Sequence, residues 1–160
     1  MRVYGFPPLI HNRCTKLIVG TLPGVISLER NQYYGNSQNA FWRIVRDCFC
    51  GKQDRDYASL CRVLLKNKIA LWDVFSTGQR KGSSDSRIRN PVMNNFIALV
   101  KQYPRIEAVL CNGRKAHKAA IQIPALKAKK IVYLPSTSPA YPKPYTWKRQ
   151  IWKKWLRRRS

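Results

Sequence analysis

The chain has 160 residues, the length of one compact domain, and 44% of them are hydrophobic, enough for an ordinary core and too many for wholesale disorder. It carries 31 Lys+Arg against 7 Asp+Glu, a formal net charge of +24, which argues against a small-molecule enzyme with no polyanion nearby. The excess is uneven: residues 81–160 hold 19 of the basic side chains and 2 of the acidic ones. Nucleic acid, an anionic membrane and a merely solvated face compete as explanations, and the charge favours nucleic acid. Five cysteines without a C-x-x-C pair fit neither a zinc site nor an iron–sulfur cluster and read as reduced thiols of a cytoplasmic protein. No window approaches a membrane span.

In chain order, Lys16–Gly20 is a short apolar run ending in glycine and reads as a buried strand. Ser37 is placed as the N-cap of a helix that carries Phe41, Ile44, Val45, Cys48 and Phe49 at helical spacing and stops at Gly51. A second helix is expected over Tyr57–Lys66. Ile69–Phe75 is the next strand, opening into a polar loop over Ser76–Asn90. Pro91 suits the first turn of a helix continued by Phe96, Ile97 and Val100. Ile106–Cys111 is a third strand, Arg114–Ile121 a short helix and Lys130–Leu134 a fourth strand. A basic helix over about 144–159 carries Trp147, Ile151, Trp152, Trp155 and Leu156. Strands alternating with helices predict a parallel sheet covered on both faces.

In such a sheet, ligands sit beyond the carboxyl ends of the strands. The segments TLPG, STGQRKGSSDS, NGRK and PSTSPAY all fall there, and their convergence defines the expected site. Nucleophilic catalysis needs a histidine, and His11 and His117 lie outside those segments. Paired carboxylates look hard to assemble, since Asp85 is the only acid in the loops and Asp73 lies within a strand. Metal ligands are lacking, and Gly20-Thr21-Leu22-Pro23-Gly24 has no Lys-Ser/Thr to make it a phosphate loop.

What remains is a set of amides, hydroxyls and rings concentrated in YYGNSQNAFW, residues 33–42. Tyr34 or Tyr33 can stack on a planar heterocycle, and an Asn amide can both donate and accept at its edge. Such a site suits cleavage of the bond between a nucleobase and its sugar, where the base leaves as a delocalised anion. In duplex DNA that base must first be flipped out. Asn39 also stands within the first turn of its helix, where an amide serves equally as a cap.

MRVYGFPP, LIVGTLPGVISL, QYYGNSQNAFWRI, LWDVF, GSSDSRIRNP, NGRKA and LPSTSPAY occur in this order along the chain. With them the sequence resembles the uracil-DNA glycosylase superfamily, and within it the DNA-deoxyinosine (hypoxanthine-DNA) glycosylase branch. The resemblance implies a three-layer α/β/α sandwich with a central four-stranded, mainly parallel sheet, spanning 1–160 as one domain. It implies a cofactor-free, metal-free, monofunctional and monomeric enzyme acting on DNA with a deaminated base, hypoxanthine first and uracil second, and no membrane partner. Gly20, Thr21, Leu22 and Pro23 would lie against the base and sugar, with Asn112 joining them from the third loop. Tyr34 would stack on the flipped base, and Asn39 would be the catalytic amide, polarising the base or holding water. Ser136, Thr137 and Ser138 would grip phosphates, Tyr141 or the following Pro142-Lys143 would fill the emptied duplex position, and Arg80 would touch phosphate or solvent. Thr21-Leu22 stands where many relatives place a water-activating Asp or Asn, which moves the weight onto Asn39. The competing reading is a basic module that holds nucleic acid without chemistry.

Overall fold

The computed structural model describes residues 1–53 and 55–159. Its elements are β1 (Arg2–Tyr4), β2 (Lys16–Gly20), α1 (Val25–Arg30), α2 (Phe41–Phe49), α3 (Tyr57–Lys66), β3 (Ile69–Asp73), β4 (Phe75–Gln79), β5 (Arg89–Met93), α4 (Phe96–Gln102), β6 (Ala108–Asn112), α5 (Arg114–Ala120), β7 (Lys130–Leu134) and α6 (Tyr145–Leu156). Four strands form a parallel sheet in the order β3-β2-β6-β7, and β1-β4-β5 form a second, antiparallel sheet.

The parallel sheet is a middle layer because its strands are apolar on both faces. Side chains alternate along a strand, so Leu17 and Val19 point one way and Ile18 the other. Leu17, Val19, Ala70, Trp72, Val109 and Cys111 pack with Phe96 and Leu99 of α4, Ala116 and Ala120 of α5, Phe75 of β4 and Ile88 just ahead of β5. Ile18, Ile69, Leu71, Leu110 and Leu134 pack with Phe41, Ile44 and Val45 of α2, Leu60 and Leu64 of α3, and Trp152 and Leu156 of α6. The three-layer architecture expected from the sequence is the one observed. The free edge of β3 is covered by the N-terminal segment, where Leu9 and Leu71 exchange backbone hydrogen bonds of 2.9 Å.

Several local expectations are corrected. Ile69–Phe75 is not one strand: the chain leaves the parallel sheet after Asp73, and Phe75 starts β4. The apolar run continues across the break because Val74 and Phe75 stay buried while changing sheets. The stretch Ser76–Asn90 is not all loop, since β4 extends to Gln79 and a 3₁₀ turn covers Asp85–Arg87. Pro91 lies in β5, an edge strand with irregular pairing where its missing N–H costs nothing. The helix after it starts at Phe96, capped by the Asn95 side chain, which accepts from the Ala98 N–H. Ser37 does not cap α2; the Asn39 Oδ1 accepts from the Phe41 N–H at 3.0 Å instead. The third strand begins at Ala108 rather than Ile106, whose N–H closes a turn on the Tyr103 carbonyl.

Candidate active site

The carboxyl ends of β2, β3 and β6 and the segment after β7 open into a cleft of about 530 Å³. Parallel register sets Gly20 directly beside Asp73, so the ends of β2 and β3 form one part of its wall. A side chain at position 20 would fill the space there. A Cβ on Gly20 would stand 2.7 Å from the Asp73 Oδ1 and 2.9 Å from the Tyr34 hydroxyl, which places those two polar groups around the same point.

The segment 33–41 is fixed from several sides. The Tyr33 hydroxyl donates to the Pro7 carbonyl at 2.7 Å, and the Tyr33 carbonyl accepts from the Trp42 indole at 2.6 Å. The Gly35 N–H donates to the Ser27 hydroxyl at 2.9 Å. These anchors hold Tyr34 at φ +51°, a left-handed conformation that a bulky residue rarely adopts and that persists only where the surroundings enforce it. Its ring stacks on Phe41 with centroids 4.2 Å apart. Its hydroxyl is buried and makes no hydrogen bond of normal geometry among the described residues, the Asn112 amide being its polar neighbour, and burial holds the phenol far above its ordinary pKa, so the group keeps its proton.

Asn39 lines the same cleft. Because its Oδ1 faces the Phe41 N–H, its Nδ2 is the remaining amide group. The next residue ties this segment to the far wall, the Ala40 N–H donating to the Thr137 carbonyl at 3.0 Å. Thr137 is in turn locked to Asn112: its N–H donates to the Asn112 Oδ1 at 3.0 Å, and the Asn112 Nδ2 donates to its hydroxyl at 2.9 Å. Asn112, expected against the base, lines the cleft and also braces the loop after β7 with one N–H and one lone pair of its amide. Thr137, expected at a phosphate, is 1% exposed and acts as part of the same brace.

The expectation of a cleft without paired carboxylates is corrected. Asp73, ending β3, and Asp85, from the 3₁₀ turn, both line it. Asp73 is 5% exposed, and burial together with the Asp85 charge pushes its carboxyl up to about 7, against a smaller downward pull from Arg80. Asp85 keeps nearly half of its side chain open, accepts from the Thr21 hydroxyl at 2.7 Å and lies 3.6 Å from Arg80. Desolvation raises its pKa, opposed by Thr21, Arg80 and Lys115. Arg80, expected at a phosphate, is 3% exposed beneath the Gly20–Gly24 turn and donates to the Pro23 carbonyl. A cation with so little surface serves the inner wall.

Gly20, Thr21, Leu22, Pro23, Tyr34, Asn39, Asn112, Ser136, Thr137, Ser138 and Tyr141 are brought together around the cleft; Arg80 and Lys143 are not among its lining residues. Ser136 and Ser138 fold the rim, their hydroxyls accepting from the N–H groups of Ser138 and Ala140 at 3.2 Å. Tyr141 lies under the Lys148 ammonium at 5.3 Å, and Lys143, exposed beyond it, sits 5.5 Å from the Trp147 ring. The residue missed by sequence reasoning is Asp73. Its signal was a single acid terminating the otherwise apolar run Ile69–Trp72.

The model of the uracil DNA glycosylase superfamily matches residues 7–156. A hypoxanthine DNA glycosylase of Methanosarcina barkeri is 39% identical over 117 residues, covering 72% of this chain and 74% of that relative. A hypoxanthine DNA glycosylase of Methanosarcina acetivorans is 41% identical over 113 residues, 70% of this chain and 72% of the relative. The solution NMR structure of a Methanosarcina acetivorans protein, 35% identical, superimposes over 98% of both chains with a TM-score of 0.83. On the extent of that match, and with the site at the strand tips where Gly20–Gly24 and Ser136–Ser138 meet, the chain belongs to the uracil DNA glycosylase superfamily.

Proposed function

We propose that the chain is a monofunctional, single-domain DNA glycosylase that works as a monomer and hydrolyses the N-glycosidic bond of a deaminated base, hypoxanthine in first place. The observation that carries this reading is the meeting of Tyr34, Asn39 and Asp73 in one cleft of a chain whose relatives are named hypoxanthine DNA glycosylases. The base is flipped from the duplex and stacks against Tyr34, whose other face is already held by Phe41. The Asn39 Nδ2 donates to an acceptor on the base; the Asn39 Oδ1 is committed to the helix. The Tyr34 hydroxyl and the neutral Asp73 carboxyl supply two further donors at the closed end.

As the bond between the base nitrogen and C1′ breaks, its electron pair passes to the base. The donors stabilise the charge growing there, the kind of interaction whose loss typically costs about 100-fold or more in rate. The sugar becomes an oxocarbenium-like cation, and the Asp85 carboxylate, held by Thr21 and Arg80, supplies the opposing charge. Water adds to C1′ and releases one proton to Asp85 or solvent, and the departing base takes up one proton. Lys143, exposed two residues past Tyr141, and the Ser136–Ser138 rim of the cleft would meet the sugar–phosphate backbone.

The test is incubation with duplex oligonucleotides containing deoxyinosine, deoxyuridine or deoxyxanthosine, followed by hot alkali. Strand breaks at deoxyinosine are expected. Absence of breaks at all three lesions, with the protein folded and bound to DNA, would leave the non-catalytic binding module as the better reading.

A further inference from the structure

The charge is far larger than one phosphate-gripping rim requires, and much of it lies at the wrong end of the molecule for that rim. α6 begins beside the cleft, where the Lys148 ammonium donates to the Ser138 carbonyl at 3.0 Å. It then runs antiparallel to the sheet for eleven residue steps, about 17 Å. It ends at the opposite pole, where Lys16, the first residue of β2, donates its ammonium to the carbonyls of Leu156 and Arg158.

At that pole the last turn of α6 and the two residues after it display Lys153, Lys154, Arg157 and Arg158, all exposed, around a shallow groove of about 570 Å³. Two features make this an organised surface. The Trp155 ring is held between Lys130, at 5.0 Å, and Arg158, at 5.1 Å, which fixes the helix end to the start of β7. The buried Lys16 neutralises the carbonyl end of the helix, whose partial negative charge would otherwise oppose an anion. Exposed Lys68, leading into β3, adds to the field, and among the described residues leading into the four strands Glu107 is the one acid. None of the large apolar side chains exposed elsewhere lies on this last turn or in the segments 66–68 and 127–130, so the patch lacks the anchor a lipid surface would use.

We infer that the pole opposite the cleft is a second binding surface for phosphodiester backbone, and that it takes a second segment of duplex DNA. Duplex DNA is stiff over about 150 base pairs, so the segment whose base enters the cleft does not wrap to the opposite pole. The enzyme then holds one segment while searching another. The choice of DNA as the polymer rests on the function proposed above; the presence of a second polyanion surface does not.

The experiment titrates the full chain with a lesion-free 12-base-pair DNA duplex at low salt and measures stoichiometry by sedimentation. Two duplexes per chain are expected, and one for a variant carrying K153E, K154E, R157E and R158E. The same four positions changed to Gln provide a second variant if the reversal disturbs the helix. Single-turnover base release from a deoxyinosine duplex at saturating enzyme should stay within about twofold of the parent, since none of the four side chains lines the cleft. A single duplex on the parent, or two on both variants, would overturn the inference. So would displacement of the second DNA duplex by an equal concentration of duplex RNA or of phosphatidylserine vesicles. Failure of the parent to release any base, with two duplexes bound, would refute the proposed function and leave the second surface standing.

Discussion

Asp73→Asn exchanges a titrating carboxyl for an amide of nearly the same shape at a buried position. In the folded chain the Asp73 carboxyl is pushed up to about 7 from an ordinary 3.8. Between those values the folded chain keeps a proton that the unfolded chain has released, so stability falls as pH rises, and the fall ends once pH passes the folded value. Each unit of displacement corresponds to about 1.4 kcal/mol, so the wild type should lose about 3 kcal/mol between pH 5 and pH 8 that the Asn variant does not lose. Urea unfolding followed by tryptophan fluorescence at pH 5, 6, 7 and 8 reads this directly, because Trp72 adjoins the site in the chain. Base release should follow the same titration: the wild-type rate falls above about pH 7 as the donor is lost, and the Asn variant, whose amide always donates, keeps a flatter profile. A stability difference between the two proteins that stays constant from pH 5 to pH 8 would show that Asp73 is ionised throughout and would refute the assignment of a neutral donor at the closed end of the cleft.

Asn39→Asp keeps the oxygen that caps α2 and removes the amide donor, whereas Asn39→Ala removes both. Base release should fall about 100-fold or more in each, while only the Ala variant should also lose about 1 kcal/mol of stability in chemical unfolding. Tyr34→Phe deletes a buried hydroxyl that makes no hydrogen bond of normal geometry among the described residues, so the variant should unfold at higher urea, by about 1 kcal/mol, and yet release base more slowly; a less stable variant would mean that the nearby Asn112 amide pairs with the hydroxyl in the free protein. Trp152→Ala empties a fully buried site whose indole donates to the Pro135 carbonyl at 2.8 Å, and it should cost about 3–5 kcal/mol by the same measurement.

The strands and helices that were legible in the sequence are those whose periodicity is set by burial alone. Tyr57–Lys66 and Lys130–Leu134 fold over the expected residues because α3 shows the sheet one apolar face and β7 is a short apolar run bounded by lysine and proline. The break after Asp73 was not legible, since hydrophobicity records burial and Val74 and Phe75 are buried on both sides of the change of sheet. The positions of the four loops at the strand tips followed from the parallel order, and with them the neighbourhood of Asn39, Tyr34 and Ser136. The roles inside that neighbourhood depend on pairings between distant segments. Arg80 in a Gly- and Ser-rich loop reads as a surface cation, and only the fold buries it against Pro23 and Asp85. Asn112 and Thr137, 25 residues apart, satisfy each other in a way that neither loop announces.

One backbone hydrogen bond, from the Ala40 N–H to the Thr137 carbonyl, is all that separates the residue next to Asn39 from the rim between Ser136 and Ser138. Under the proposed function, a strand of DNA pressing on that rim would push on the start of α2, and any displacement of the rim would be handed to the Asn39 carboxamide. Engagement of the polymer and alignment of the reactive group become a single mechanical event, so a free nucleoside, which presses on nothing, would meet a less well-aimed amide than the same base in a chain.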